Sequence, residues 1–225
     1  MKSTLELQAA DGVRIGADRF STDVPARGGL VLIHEVFGVT DSIRAVASGY
    51  AHSGFEVIVP ALFDRIEKDT VLPEDADGMR RGREFVGKLG LDAPLRDVRA
   101  AVEVLKRSCC ARVSVIGYCW GGTLAYLCAT RLGLPGVSYY GRQIPEFLHE
   151  RLQAPIIFHF GEQDEFIPAA TIEAVERAFP DHPVYRYPAG HAFNRVGQPP
   201  YAQHSAALAL RRSLDFLDSL DAVSV

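Results

Sequence analysis

The chain has 225 residues, 48% of them hydrophobic and 23% charged, an ordinary globular composition with enough length to bury a core without disulfides or metals. Its 24 basic and 28 acidic residues leave a net charge of -4 with no basic run, which argues against a nucleic-acid partner. No apolar stretch reaches the ~20 residues that cross a bilayer, and residues 1–10 lack the basic flank and apolar run of a signal peptide, so no membrane partner and a cytoplasmic setting are expected.

In chain order, residues 3–20 read as an antiparallel edge hairpin turning at Ala10-Asp11-Gly12. Short, nearly continuous apolar runs follow at 29–34, 55–59, 112–116, 137–140, 155–160 and 184–187. Such runs fit strands covered on both faces. Helical periodicity falls between them, at 41–52, 93–107, 124–131, 172–179 and 202–220. The alternation predicts one α/β domain over residues 1–225, a mostly parallel central sheet with helices on both faces. Residues 61–92 are charged and less regular, and read as a surface excursion with one short helix.

The four cysteines, Cys109, Cys110, Cys119 and Cys128, have neither the spacing of a disulfide framework nor that of a metal site. A reducing compartment would keep a catalytic thiol usable. One cysteine stands apart. In Gly117-Tyr118-Cys119-Trp120-Gly121-Gly122, it sits between an apolar strand and a helical pattern. This is the G-x-nucleophile-x-G turn with Cys in place of Ser. Small flanking residues let the backbone crowd together while the turn holds the nucleophile above the sheet. The helix N-terminus behind it favours thiolate and oxyanion.

Gly190-His191-Ala192-Phe193 follows the last strand, in a loop at the carboxyl edge of the sheet where a general base can reach the thiol. Gly161-Glu162-Gln163-Asp164-Glu165 follows the fifth apolar run and offers the acid that orients the imidazole. Asp164 fits the role, with Glu162 and Glu165 as rivals. The order Cys119, Asp164, His191 is that of α/β-hydrolase-fold enzymes. The backbone N–H groups of Val36 and Trp120 are the expected oxyanion hole. Glu35, in His34-Glu35-Val36-Phe37-Gly38, reads on its own as a solvated loop carboxylate.

Together these four motifs resemble the dienelactone hydrolase family, in order and along nearly the whole chain. The resemblance implies the α/β-hydrolase fold, an eight-stranded sheet, a Cys-His-Asp triad and no metal or organic cofactor. It also implies a role for Glu35, in which substrate binding shifts the carboxylate and the carboxylate draws the proton from the thiol. The implied substrate is a small lactone whose carboxylate is held by arginines. Arg195 matches one of them. Met79 stands where the other would be, and Arg83 where the family has an aromatic residue. Arg80, Arg81 and Arg83 share one helical turn, and Arg83 is the candidate substitute. A carboxylesterase for other small esters, or a non-catalytic ligand-binding member of the fold, are the competing readings.

Other features carry no such chemistry. His34 next to Glu35 lacks the H-E-x-x-H spacing of a zinc site, and His159 lies inside an apolar strand. Tyr139-Tyr140-Gly141 reads as packing, with one tyrosine able to line a pocket. No P-loop or G-x-G-x-x-G fingerprint invites a nucleotide.

Overall fold

The computed structural model describes residues 1–108 and 110–220. Cys109 and the last five positions of the expected 1–225 domain lie outside the described residues. The chain builds an eight-stranded sheet in the order β1-β2-β4-β3-β5-β6-β7-β8. Strands β1 (Lys2–Gln8) and β2 (Arg14–Phe20) form the expected antiparallel hairpin, in a register running from Lys2 opposite Phe20 to Gln8 opposite Arg14. Its turn closes through Gly12 N–H to the Ala9 carbonyl at 2.9 Å. β2 also runs antiparallel to β4 (Phe55–Pro60). The remaining pairs, among β3 (Gly28–Ile33), β4, β5 (Val113–Tyr118), β6 (Gly136–Tyr139), β7 (Ile156–Gly161) and β8 (Val184–Tyr187), are parallel. Every residue of β3, β4, β5, β6 and β7 is buried, as both-face coverage requires.

Among the described residues there are six α-helices, five of which pack along the sheet. α3 (Asp92–Ser108) and α4 (Trp120–Arg131) pack on each other, while α1 (Asp41–His52) and α6 (Gln203–Ser219) flank a shared apolar cleft. α5 (Ala169–Ala178) packs against β8. Local chemistry sets several ends. Thr40 caps α1 by accepting the Ile43 N–H at 3.3 Å. α4 has no side-chain cap, because Cys119 occupies that position.

Residues 61–92 correct the sequence reading. They hold a 3-10 turn at Leu62–Arg65 and a 14-residue helix, α2 (Ala76–Leu89), and they bury Leu62, Phe63 and Phe85. The charges that suggested a solvated surface are partly internal. Arg65 donates Nε and Nη2 to the fully buried Asp97 of α3 at 2.6 and 2.8 Å, and its Nη1 to Asp11 at 2.9 Å. A paired charge can sit inside without an orphaned partner. Capped by Asp75, α2 forms one wall above the carboxyl ends of the strands.

The sheet fixes where chemistry can occur. The order of strand addition reverses between the parallel neighbours β3, whose successor β4 lies on one side, and β5, whose successors lie on the other. The loops leaving these two neighbours diverge and open a crevice at their carboxyl ends. The loop after β3 carries Glu35 and Val36. The turn after β5 carries Cys119. The loops after β7 and β8 bring Asp164 and His191 to the same edge.

Candidate active site

Cys119 adopts φ 56° and ψ -114°, a conformation rare for a residue with a Cβ. The turn tolerates it because its neighbours are glycines. A Cβ on Gly117 would sit 1.8 Å from the Gly121 carbonyl oxygen, and one on Gly121 would sit 2.4 Å from that of Ile33. The strained residue leads directly into α4, so the Trp120 N–H lies in the first helical turn, where no intrahelical acceptor exists.

His191 Nε2 lies 3.2 Å from Cys119 Sγ, and His191 Nδ1 donates to Asp164 Oδ2 at 2.7 Å. The other carboxylate oxygen of Asp164 accepts the Phe166 and Ile167 N–H groups at 2.8 and 3.1 Å. With Asp164 thus fixed, the imidazole is held in one orientation, flanked by Tyr140 and by the edge of Phe166. Burial pulls the His191 pKa down, but beside an ionised Cys119 the thiolate charge and the hydrogen bond to Asp164 outweigh it and raise it to about 10. Of the rivals to Asp164, Glu162 and Glu165 are both exposed.

Glu35 departs from the sequence reading of a solvated carboxylate: it is 3% exposed. Its charge is tolerated because Arg195, also mostly buried, donates Nε and Nη2 to Oε2 at 3.0 and 2.6 Å. Glu35 Oε1 has no hydrogen-bond partner among the described residues. Arg195 also stands over the Phe37 ring, 5.0 Å from its centroid, and Nε lies 3.4 Å from Glu74. Neither Glu74 nor its contact was legible in the sequence, because the two residues are far apart in the chain.

A cavity of about 200 Å³ opens beside the sulfur, lined among others by Val36, Met79, Trp120, Phe166 and His191. Arg83 lines it from α2, 5.8 Å from the Phe166 centroid, and Arg142 lines it from the segment after β6. Both are exposed. Arg195 is not among the lining residues. Sequence reasoning missed Arg142, although its place just past Tyr139-Tyr140-Gly141, at the carboxyl end of a strand, was an available signal. Trp120 is buried, stacked on Phe63 at 5.8 Å, and narrows the cavity beside the thiol.

The other singled-out residues have structural surroundings. His159 Nδ1 accepts from Tyr187 and Nε2 donates to Ser213, at 2.8 and 3.1 Å, so it is a satisfied core histidine. His34 donates Nδ1–H to the Glu35 carbonyl at 2.6 Å. Arg80 pairs with Asp77 and Glu84, and Arg81 approaches Glu67, so neither is free for the cavity. Among the described residues, no group of three or more His, Cys, Asp or Glu side chains could hold a metal ion, and no helix is long and apolar enough to cross a membrane.

Comparison with known proteins follows the same lines. The model of the dienelactone hydrolase family matches residues 19–220. A carboxymethylenebutenolidase of Pseudomonas putida is 30% identical over 231 residues, covering 96% of each chain. One from Pseudomonas sp. (strain P51) is 31% identical, covering 95% of this chain and 93% of the relative. The solved structure of a dienelactone hydrolase-like promiscuous phosphotriesterase from metagenomic libraries superposes with a TM-score of 0.79 at 21% identity, covering 97% of this chain and 98% of that one. With an α/β-hydrolase fold and a family match across most of its length, the chain is a hydrolase belonging to the dienelactone hydrolase family.

Proposed function

We propose that this enzyme hydrolyses a small ester or lactone, dienelactone-like in its reacting bond, with Cys119 as nucleophile. The observation that carries the reading is the continuous chain from Cys119 Sγ through His191 to Asp164, at 3.2 and 2.7 Å, opening on a cavity of about 200 Å³. A buried cysteine kept only for packing has no need of an oriented imidazole.

The chemistry follows from where the protons can go. Glu35, leaving Arg195, accepts the thiol proton. The thiolate is stabilised by the protonated His191 and attacks the acyl carbon. The carbonyl oxygen takes the negative charge and is met by the N–H groups of Val36 and Trp120. Collapse breaks the C–O bond, and the departing alkoxide or enolate takes a proton from His191. The now neutral imidazole removes a proton from water, which attacks the thioester. Loss of the acid restores thiolate and imidazolium, and Glu35 returns its proton to sulfur. Every step is balanced by the chain, the ester and water.

Open-chain esters are the second reading. Met79, Trp120 and Phe166 give the cavity an apolar wall that suits an uncharged acyl group. The test is hydrolysis of a panel holding a carboxylated dienelactone, simple lactones and aryl esters, with Cys119→Ala as control. The wild type is expected to turn over at least one class and the variant to lose about a hundredfold or more. Equal rates in the two proteins would falsify the nucleophile assignment.

A further inference from the structure

Arg195 is held between two carboxylates, not one. Glu35 Oε2 receives Nε and Nη2. Glu74 Oε1 lies 3.4 Å from the same Nε. Glu74 is itself anchored. Ser42 donates to its Oε2 at 3.1 Å and Thr40 to its Oε1 at 3.5 Å, both from the start of α1. Arg195 and Glu74 have side chains only 10% and 14% exposed, so water screens their attraction weakly.

We propose that Glu74 is a positioning residue, a permanent second counter-ion for Arg195 that lets Glu35 leave the ion pair without a substrate carboxylate replacing it. The reason is charge balance. Were Glu35 the sole partner of a buried guanidinium, its departure would strand a cation in a poorly hydrated place, an unfavourable state. A substrate carboxylate could make up that loss, and the enzyme would then require an anionic substrate. With Glu74 fixed beside Nε, the guanidinium keeps a partner through the excursion. Substrate choice then follows from the ion pair. Met79 adds no cation to the cavity wall, Arg83 and Arg142 line it only as exposed, solvent-screened charges with Glu146 beside them, and Arg195 is already compensated and does not line the cavity. The substrate class is therefore esters whose acyl part carries no charge. This rests on the proposed role of Cys119 and Glu35.

The experiment compares p-nitrophenyl butyrate with the mono-p-nitrophenyl ester of succinic acid, which differs by a carboxylate. The wild type is expected to hydrolyse the uncharged ester at least as efficiently as the charged one. Glu74→Gln keeps the size and one accepting oxygen but removes the charge, leaving Glu35 alone as counter-ion of Arg195. It is expected to lower kcat for the butyrate ester about tenfold with little change in KM. The charged ester, able to supply the missing counter-ion, should lose less, so the charged-to-uncharged ratio of kcat/KM rises. A merely structural role would lower both alike. Glu74→Ala should move the ratio the same way, and thermal melting of both variants reports folding. An unchanged ratio in folded variants, or a wild type preferring the charged ester more than about tenfold, overturns the proposal. Cys119→Ala separates the layers: if it is inactive while Glu74→Gln behaves as wild type, only the role of Glu74 fails.

Discussion

Arg195 donates through Nε and Nη2 to the same oxygen of Glu35, leaving the other oxygen buried without a hydrogen bond among the described residues. A carboxylate engaged by one oxygen keeps a free lone pair, which is what a proton acceptor needs. Replacing Glu35 by Gln removes the acceptor but leaves Arg195 beside Glu74. We expect turnover to fall at least about tenfold, the equivalent of about 1.4 kcal/mol of barrier. Stability should change by less than about 1 kcal/mol, since no buried cation is left alone. Steady-state kinetics and urea denaturation of Glu35→Gln measure the two effects. Undiminished turnover would make Glu35 a bystander.

The protonation of His191 depends on its two neighbours. Burial favours neutral imidazole, and only the charge of the Cys119 thiolate, once formed, and the bond to Asp164 reverse that, to about 10. Cys119→Ala removes one source of stabilisation and Asp164→Asn another. In each variant the His191 pKa should fall toward or below the ordinary imidazole value of about 6.5. NMR titration of the ring nitrogens reads this directly. A value unmoved in both variants would mean that neither neighbour sets it.

Much of this architecture was legible in the chain. Strands β3 to β7 are buried on both faces, so they read as unbroken apolar runs and were found almost to the residue. The turn around Cys119 was legible because its glycines answer a local crowding problem. α2 was reduced to a short helix in a surface excursion. Gly78, Gly82 and Gly87 weaken its helical signal, and its many charges disguise a buried edge at Phe85. The burial of Glu35 could not be read at all. It depends on Arg195, 160 residues away, and on Glu74, neither of which announces itself locally.

Two buried histidines make the fold sensitive to mild acid. Burial depresses the pKa of His34 to about 4 and of His159 to about 3, so both are neutral in the folded protein well below the pH at which the unfolded chain takes up protons. Below about pH 6.5 the unfolded state therefore binds more protons, and stability falls as pH drops toward those values, by up to roughly 1.4 kcal/mol per pH unit for each group. His191 has the opposite sign, because its raised value keeps the folded form protonated. Comparing wild type with His34→Gln cancels that contribution. Between pH 6 and 4.5 the variant should show a shallower loss of stability in urea unfolding. Parallel slopes would show that His34 does not resist protonation.

Arg83 and Arg142 reach the cavity from opposite segments, and among the described residues neither has a hydrogen bond or ion pair. Both are exposed, and Glu146 lines the same cavity, so their field is modest and screened by salt. They are far better placed to attract an approaching anion than to stabilise charge at the reacting carbon. Arg142→Ala should therefore raise KM for a carboxylated ester by roughly two- to fivefold at low ionic strength, leave kcat unchanged, and leave both constants for an uncharged ester alone. Arg83→Ala should act in the same direction, and the two effects should add, because neither guanidinium has the other as a partner. Added salt should erase the difference between wild type and variants. If kcat falls instead, Arg142 meets the charge that develops during the reaction, and the rim is part of the catalytic centre.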